Sequence, residues 1–335
     1  MKIIYPINYK EHEPQFEIFN GEKEKHQEVS KRVDCILTAI KDSSELIGIS
    51  KTIVPVRLLE KVHTKAYLKA LKLMCQSIKP KKYNYPNVFP LRSHGAQDLK
   101  SPIAIRGLFS FDMYTPLYRT TYTVALESAS CAYYAAKLLH QEKNPVYALC
   151  RPPGHHAEKD QMGGYCYINN TALAAEYLST YGKVAILDVD VHHGNGTQGI
   201  FYERNDVLTI SIHANPAYKF PYFSGTIKEK GRRSGIGYNI NYPLPLGTNN
   251  TYYHKILLTA LSKIKRYDPQ FLVVAYGGDT HIDDPIGGFR LTTDYFAQMS
   301  KEINKLNLPT LIVQEGGYNT NVLGLSVKSF LKGFV

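Results

Sequence analysis

The stretch KVAILDVDVHHGNGTQ, residues 183–198, runs from apolar residues straight into two carboxylates and two imidazoles. Val184, Ala185, Ile186 and Leu187 read as a buried strand of a parallel sheet. Asp188, Asp190, His192 and His193 crowd its C-terminal end, and Gly194 and Gly196 then turn the chain. Strand residues alternate faces, so Asp188, Asp190 and His192 project to roughly one side while the strand continues. Carboxylates and an imidazole at the tip of a buried strand are costly to desolvate. A bound cation compensates most simply, and Asp/His ligation suits zinc or a similar divalent ion. A lone Asp here would read as a cap on the next turn, and a lone His as one satisfied by backbone carbonyls. The D-x-D-x-H-H cluster favours a metal.

The surrounding pattern supplies the elements that must hold such a cluster. A helix is expected over 22–48, with Val29, Val33, Ile36, Leu37 and Ile40 on one face, and another over 64–78. From 79 to 120 five prolines interrupt the pattern, and Tyr83, Tyr85, Phe89, Phe109, Phe111 and Tyr114 make this an ordered loop insertion, packed against a second subunit. A regular alternation follows, with helices over 121–140, 169–179, 251–266 and 295–306 and a last one from about 321. Strands fall over 146–150, 184–189, 207–213, 271–276 and 310–314. This order predicts a single large α/β domain over 1–335, with a central parallel β-sheet and helices on both faces. The polar clusters RPPGHHA, GGDT and EGGY each follow a predicted strand, and DVDVHHG and His213 each end one. Open α/β sheets bind ligands outside the carboxyl ends of their strands, so five clusters converge on one site.

Composition narrows the classes. The 335 residues hold no repeat, low-complexity tract or flexible linker. MKIIYPINYK lacks the apolar core of a signal peptide, and no run reaches the length of a membrane span. The five cysteines include no C-x-x-C pair, which predicts buried reduced thiols in the cytoplasm and no zinc-thiolate site. A net charge of +11 favours acidic partners at long range, but the lysines are spread along helices without interleaved aromatics. No nucleic-acid groove and no membrane contact are expected.

RPPGHHA (151–157), GGYCYINN (163–170), LDVDVHHGNGTQ (187–198), SIH (211–213), GGDT…DDPIGGF (277–289) and EGGY (315–318) resemble the arginase/deacetylase superfamily. Within it the chain resembles histone-deacetylase-like amidohydrolases, most closely the acetylpolyamine amidohydrolases. The resemblance implies one zinc per subunit held by Asp190, His192 and Asp279, with an open position for water and substrate. It implies that His156 is the general base and then the acid, that His155 is an electrostatic partner, and that Asp188 and Asn195 orient His155 and His156 respectively. Asn195 stands where some members carry Asp, which leaves His156 less basic. Tyr318 would donate to the substrate carbonyl oxygen. Tyr165 and Phe223 match an aromatic pair lining a narrow tunnel, with Gly164 beside Tyr165. Asp188 and Ser211 match a structural potassium site. The implied substrate is a small acetylated amine or acetyl-lysine, and the implied assembly a homodimer.

Two departures from the family pattern bear on specificity. The acidic positions of the tunnel mouth correspond to Ile103 and Tyr114, with Asp112 and Asp98 nearby, so selectivity for highly charged polyamines is expected to be weak. His281 in DTHIDDP gives a D-x-H-x-D pattern like that of two-manganese arginases, although Gly194 replaces their third acid and Tyr318 has no role there. The competing readings are a protein lysine deacetylase, a two-metal ureohydrolase and a non-catalytic acetyl-lysine-binding module.

Overall fold

A computed structural model describes residues 1–90 and 99–334. The strands are β1 (Lys2–Pro6), β2 (Phe16–Phe19), β3 (Glu22–Lys25), β4 (Glu45–Ile49), β5 (Val146–Ala148), β6 (Val184–Asp188), β7 (Val207–Ala214), β8 (Asn239–Leu244), β9 (Phe271–Tyr276) and β10 (Thr310–Gln314). The helices are α1 (Lys31–Ile40), α2 (Val56–Val62), α3 (Lys65–Gln76), α4 (Pro102–Leu108), α5 (Thr121–Glu142), α6 (Asn170–Leu178), α7 (Asn195–Phe201), α8 (Asn250–Tyr267), α9 (Thr293–Asn304) and α10 (Leu323–Leu331). Eight strands form one sheet in the order β4-β1-β5-β10-β9-β6-β7-β8. Every pairing in it is parallel. The expected α/β domain is therefore present, with three more strands than the sequence pattern indicated.

Strand alternation sorts the core into two layers. Val184 and Ile186 of β6 pack with Ala132 of α5 and Leu173 of α6. Ala185 and Leu187 point the other way, toward Leu257 of α8 and Phe296 of α9. Each of the larger side chains among them, Val, Ile, Leu or Phe, contributes about 1.5–3 kcal/mol on burial. α5 carries Ala125, Ala129, Ala132 and Ala136 on its buried side, and small residues let it lie close to the sheet. Among the described residues no helix is long and apolar enough to cross a membrane.

The helix expected over 22–48 is replaced by three elements. Residues 22–25 pair with β2 as an exposed hairpin, 31–40 form α1, and 45–49 form β4. The helical spacing of apolar residues holds only from Val33 to Ile40, and Ser30 and Ser44 flank it. The insertion over 79–120 is ordered where described. Asn84 and Leu117 bridge its two ends, Tyr83 stacks on Tyr118, and Tyr85 stacks on Phe16. Asp98 lies outside the described residues.

β5, β10, β9, β6 and β7 are consecutive neighbours in the sheet. Their carboxyl ends and the loops that leave them carry the five polar clusters, His213 at the end of β7 itself, which is what places them side by side.

Candidate active site

One donor atom from each of Asp190, His192 and Asp279 lies within 4.8 Å of the others. His192 Nδ1 is 3.1 Å from Asp190 Oδ1 and 3.2 Å from Asp279 Oδ2. One ring N–H cannot donate fully to both. The outer oxygens are occupied, since Gly316 N–H donates to Asp190 Oδ2 at 2.8 Å and Val191 N–H to Asp279 Oδ1 at 3.0 Å. Burial, and then the charge of Asp190, push the Asp279 carboxyl up to about 7. Burial acts on Asp190 as well, but His155 and His192 hold it below the carboxylate range. Two buried acids and an imidazole converging on one point fit a divalent cation, which neutralises the acids and satisfies all three donors. The loops must approach closely to achieve this. A Cβ on Gly277 would lie 2.2 Å from Asp190 Oδ2, and one on Gly316 would lie 2.2 Å from Asp279 Oδ2.

The two histidines after β5 are each fixed through Nδ1. His155 Nδ1 donates to Asp188 Oδ2 at 2.9 Å. Burial opposes a charge on this ring, but Asp188 and then Asp190 outweigh it and push its pKa up to about 10. His156 Nδ1 donates to Asn195 Oδ1 at 2.7 Å. The amide of Asn195 is turned that way because its Nδ2 donates to Glu158 Oε1 at 2.8 Å. Burial, then the neighbouring His155 and His192, hold His156 well below the usual imidazole range. His156 is thus a neutral ring with Nε2 free, beside a ring that carries charge.

Glu315, which the sequence analysis gave no role beyond its place in EGGY, ties the clusters together. Its Oε2 accepts from the N–H groups of Gly154 and His155 at 2.6 and 3.0 Å, and its Oε1 accepts from Thr171 at 2.7 Å. A buried ion network behind it holds the same loops. Glu28 Oε1 accepts from Arg32 at 2.9 Å and from Arg151 at 2.8 Å, and Arg32 donates onward to the carbonyls of Gly317, at 2.6 Å, and Glu315. Tyr318 is positioned from both sides. Its N–H donates to Asp284 Oδ2 at 2.6 Å, and the Arg32 guanidinium lies 4.8 Å over its ring. Burial pushes its hydroxyl well above 10, so it keeps its proton.

A pocket of about 340 Å³ opens above these groups, with His156, His192 and Tyr318 among its lining residues. Gly164 and Tyr165 line it as expected. Gly164 has a φ of +54°, and a Cβ there would lie 2.3 Å from His156 Cδ2. Phe223 does not line it and is 89% exposed. The turn around Pro221, closed by Tyr222 N–H to Lys219 O at 3.1 Å, swings Phe223 outward and Phe220 inward. Phe220 stands edge-on to His156 with ring centroids 5.0 Å apart, and so takes the expected place of Phe223. Asp112 is also corrected. It is buried, and it accepts from the N–H groups of Gly164, Tyr114 and Thr115, the last two at 3.0 and 3.1 Å, so it braces the tunnel wall instead of facing the mouth. Ile103 is exposed on α4 and Tyr114 lines the pocket.

The acids at the mouth come from the N-terminal hairpin. Glu17 of β2 and Glu24 of β3 line the pocket, and the Tyr165 hydroxyl donates to Glu17 Oε2 at 2.9 Å. Burial raises Glu17 to about 7 against the pull of that hydroxyl. The two positions face each other in the register of a short hairpin, whose four-residue strands are too brief to announce it.

Asp188 and Ser211 sit opposite each other in the β6–β7 register. Both line a cavity of about 10 Å³. His281 turns away from Asp190, His192 and Asp279, with Nε2 3.1 Å from Thr293 Oγ1 and Nδ1 accepting from Asp283 N–H at 3.1 Å. Among the described residues the only cluster of metal-ligating geometry is Asp190, His192 and Asp279. The second metal of an arginase-like site has no ligand set there.

Comparison with known proteins gives a consistent picture. The model of the histone deacetylase domain matches residues 26–334. An acetylpolyamine amidohydrolase of Pseudomonas aeruginosa, called number 2, is 36% identical over 343 residues, spanning 100% of this chain and 98% of its own. The acetylpolyamine amidohydrolase of Mycoplana ramosa is 36% identical, with 99% of each chain covered. A crystal structure of acetylpolyamine aminohydrolase from Burkholderia pseudomallei superposes with a TM-score of 0.93 at 33% identity, covering 100% of this chain and 98% of the other.

Proposed function

The chain belongs to the histone deacetylase family, and from that premise we propose that it hydrolyses small N-acetylated amines to acetate and the free amine. The observation that carries this reading is the convergence of Asp190, His192 and Asp279 beside His156 and Tyr318 at the base of one pocket. Those three residues would hold one zinc ion per chain. When bound, the ion supplies Lewis-acid polarisation of the amide carbonyl and acidifies an attacking water.

The protein groups divide the remaining work. His156, neutral with Nε2 free, takes a proton from the attacking water and returns it to the leaving nitrogen. His155, held charged by Asp188, stabilises the anion that develops beside it. The protonated Tyr318 hydroxyl donates to the carbonyl oxygen as negative charge builds there. The C–N bond breaks as nitrogen takes up its proton, and the oxygen from water stays on the acyl carbon in acetate. Tyr165 and Phe220 flank the substrate chain and restrict the passage to slender groups. A potassium ion beside Asp188 and Ser211 would steady the strand tip that carries Asp190.

Acetate release from acetylcadaverine tests this reading. Tyr318→Phe should keep its metal and fold yet lose about 10²–10³ in turnover, the scale of one oxyanion donor. A rate near that of the unaltered protein would remove Tyr318 from the chemistry.

A further inference from the structure

Lys219 lines the same pocket as Glu17 and Glu24, between Tyr218 and the inward-facing Phe220. Its side chain is half-buried. Among the described residues it forms no ion pair, and neither does Glu17 or Glu24. Burial lowers the lysine pKa, and Asp279, Asp284 and Asp190 counter that loss at a distance. A divalent cation held by Asp190 and Asp279 cancels two of those three charges, which leaves the ammonium less compensated still.

An uncompensated cation in a partly buried mouth is unfavourable unless something anionic meets it in the working complex. It also repels an ammonium approaching the tunnel. A plain acetylated diamine offers Glu17 and Glu24 a partner but gives Lys219 only repulsion. A free amino acid acetylated on its side-chain amine offers both charges at its far end. Its α-ammonium suits the two glutamates and its α-carboxylate suits the lysine, while the acetamide reaches the base of the pocket through the methylene chain. An acetyl-lysine inside a protein has neither charge at its α-carbon.

We propose that the substrate class is a free ω-N-acetylated diamino acid, of the Nε-acetyl-lysine type, and that Lys219 selects it by pairing with its carboxylate. This rests on the deacetylase reading above. Nε-acetyl-L-lysine and acetylcadaverine differ only by that carboxylate, so their kcat/KM ratio isolates it. The ratio should favour acetyl-lysine by about tenfold, the scale of one charge pair in a partly screened site. In Lys219→Met it should fall to about one or below, because acetyl-lysine loses its partner and acetylcadaverine loses a repelling charge. Lys219→Arg should restore the preference. Should the Met variant misfold, the unaltered protein decides alone, since the amide of Nε-acetyl-lysine keeps the ammonium, lacks the carboxylate and should turn over about tenfold more slowly than the acid. Equal use of both substrates, unchanged in the Met variant, would overturn the role of Lys219 while leaving the deacetylase reading intact. If neither is hydrolysed, that reading fails, and calorimetric binding of the two ligands still decides the inference. Tighter binding of acetyl-lysine, lost in Lys219→Met, would uphold it, and equal binding would end it.

Discussion

Glu17 makes the clearest case at the scale of single residues. Its carboxyl is raised to about 7 by burial, so it is neutral below that pH and anionic above it. The terminal ammonium of an acetylated diamine, with a pKa near 10.4, stays charged throughout this range. Attraction between the two therefore appears as pH rises through about 7. For cationic acetylamines kcat/KM should rise by about three- to tenfold across pH 6–8 from this group. Glu17→Gln should flatten that rise while a neutral acetamide shows no difference, and an undiminished rise in the variant would place the titration elsewhere. The two histidines also separate at this scale. His156→Ala should cost more turnover than His155→Ala, because the neutral His156 can take up a proton while His155 already carries one. Equal or reversed losses would exchange their roles. The clustering of Asp190 and His192 beside both histidines was legible because residue types at fixed spacing repeat a known motif, and Asp279 joined them only through the family resemblance. Phe220 was not, because the turn at Pro221 decides which of several nearby aromatics faces inward, and no periodicity encodes that.

The elements explain what the sequence could and could not announce. β6, β7, β9 and β10 are buried on both faces, so they appear as unbroken apolar runs and were placed nearly to the residue. β8, NINYPL, buries Asn239 and Asn241 instead, where their side-chain amides donate to Gln198 Oε1 at 2.8 Å, and polar residues give no strand signal. β2, FEIF, and β3, EKEK, are too short to give a strand signal, yet they bring Glu17 and Glu24 to the pocket. The loops after β9 and β10 depend on close approach. Gly316→Ala would drive a Cβ onto Asp279 Oδ2 and disturb the N–H that holds Asp190. Metal affinity should fall by about 10- to 100-fold, the scale seen when support of a ligand is lost. A titration showing unchanged affinity would mean that the loop yields freely.

On the whole-molecule scale the charges are unevenly used. The chain carries a net +11, while the pocket sets Glu17 and Glu24 against a single lysine, Lys219, within that positive field. Local acids, not net charge, decide whether a cationic amine can enter. The insertion over 79–120 leaves Val88, Phe89, Leu99 and Ile103 exposed near one another in sequence. Exposed apolar side chains mark an interaction surface where they join into one patch. We therefore expect a homodimer formed through this segment, with a solution mass about twice 37.9 kDa. A mass of one chain at micromolar concentration would exclude it. The central claim is that Asp190, His192 and Asp279 hold one divalent ion that amide hydrolysis requires. Zinc titration of the metal-stripped protein, followed by acetate release from an acetylated amine, tests it most directly. Activity should rise from near zero and level off at one zinc per chain; hydrolysis without metal, or a break at two equivalents, would contradict the account.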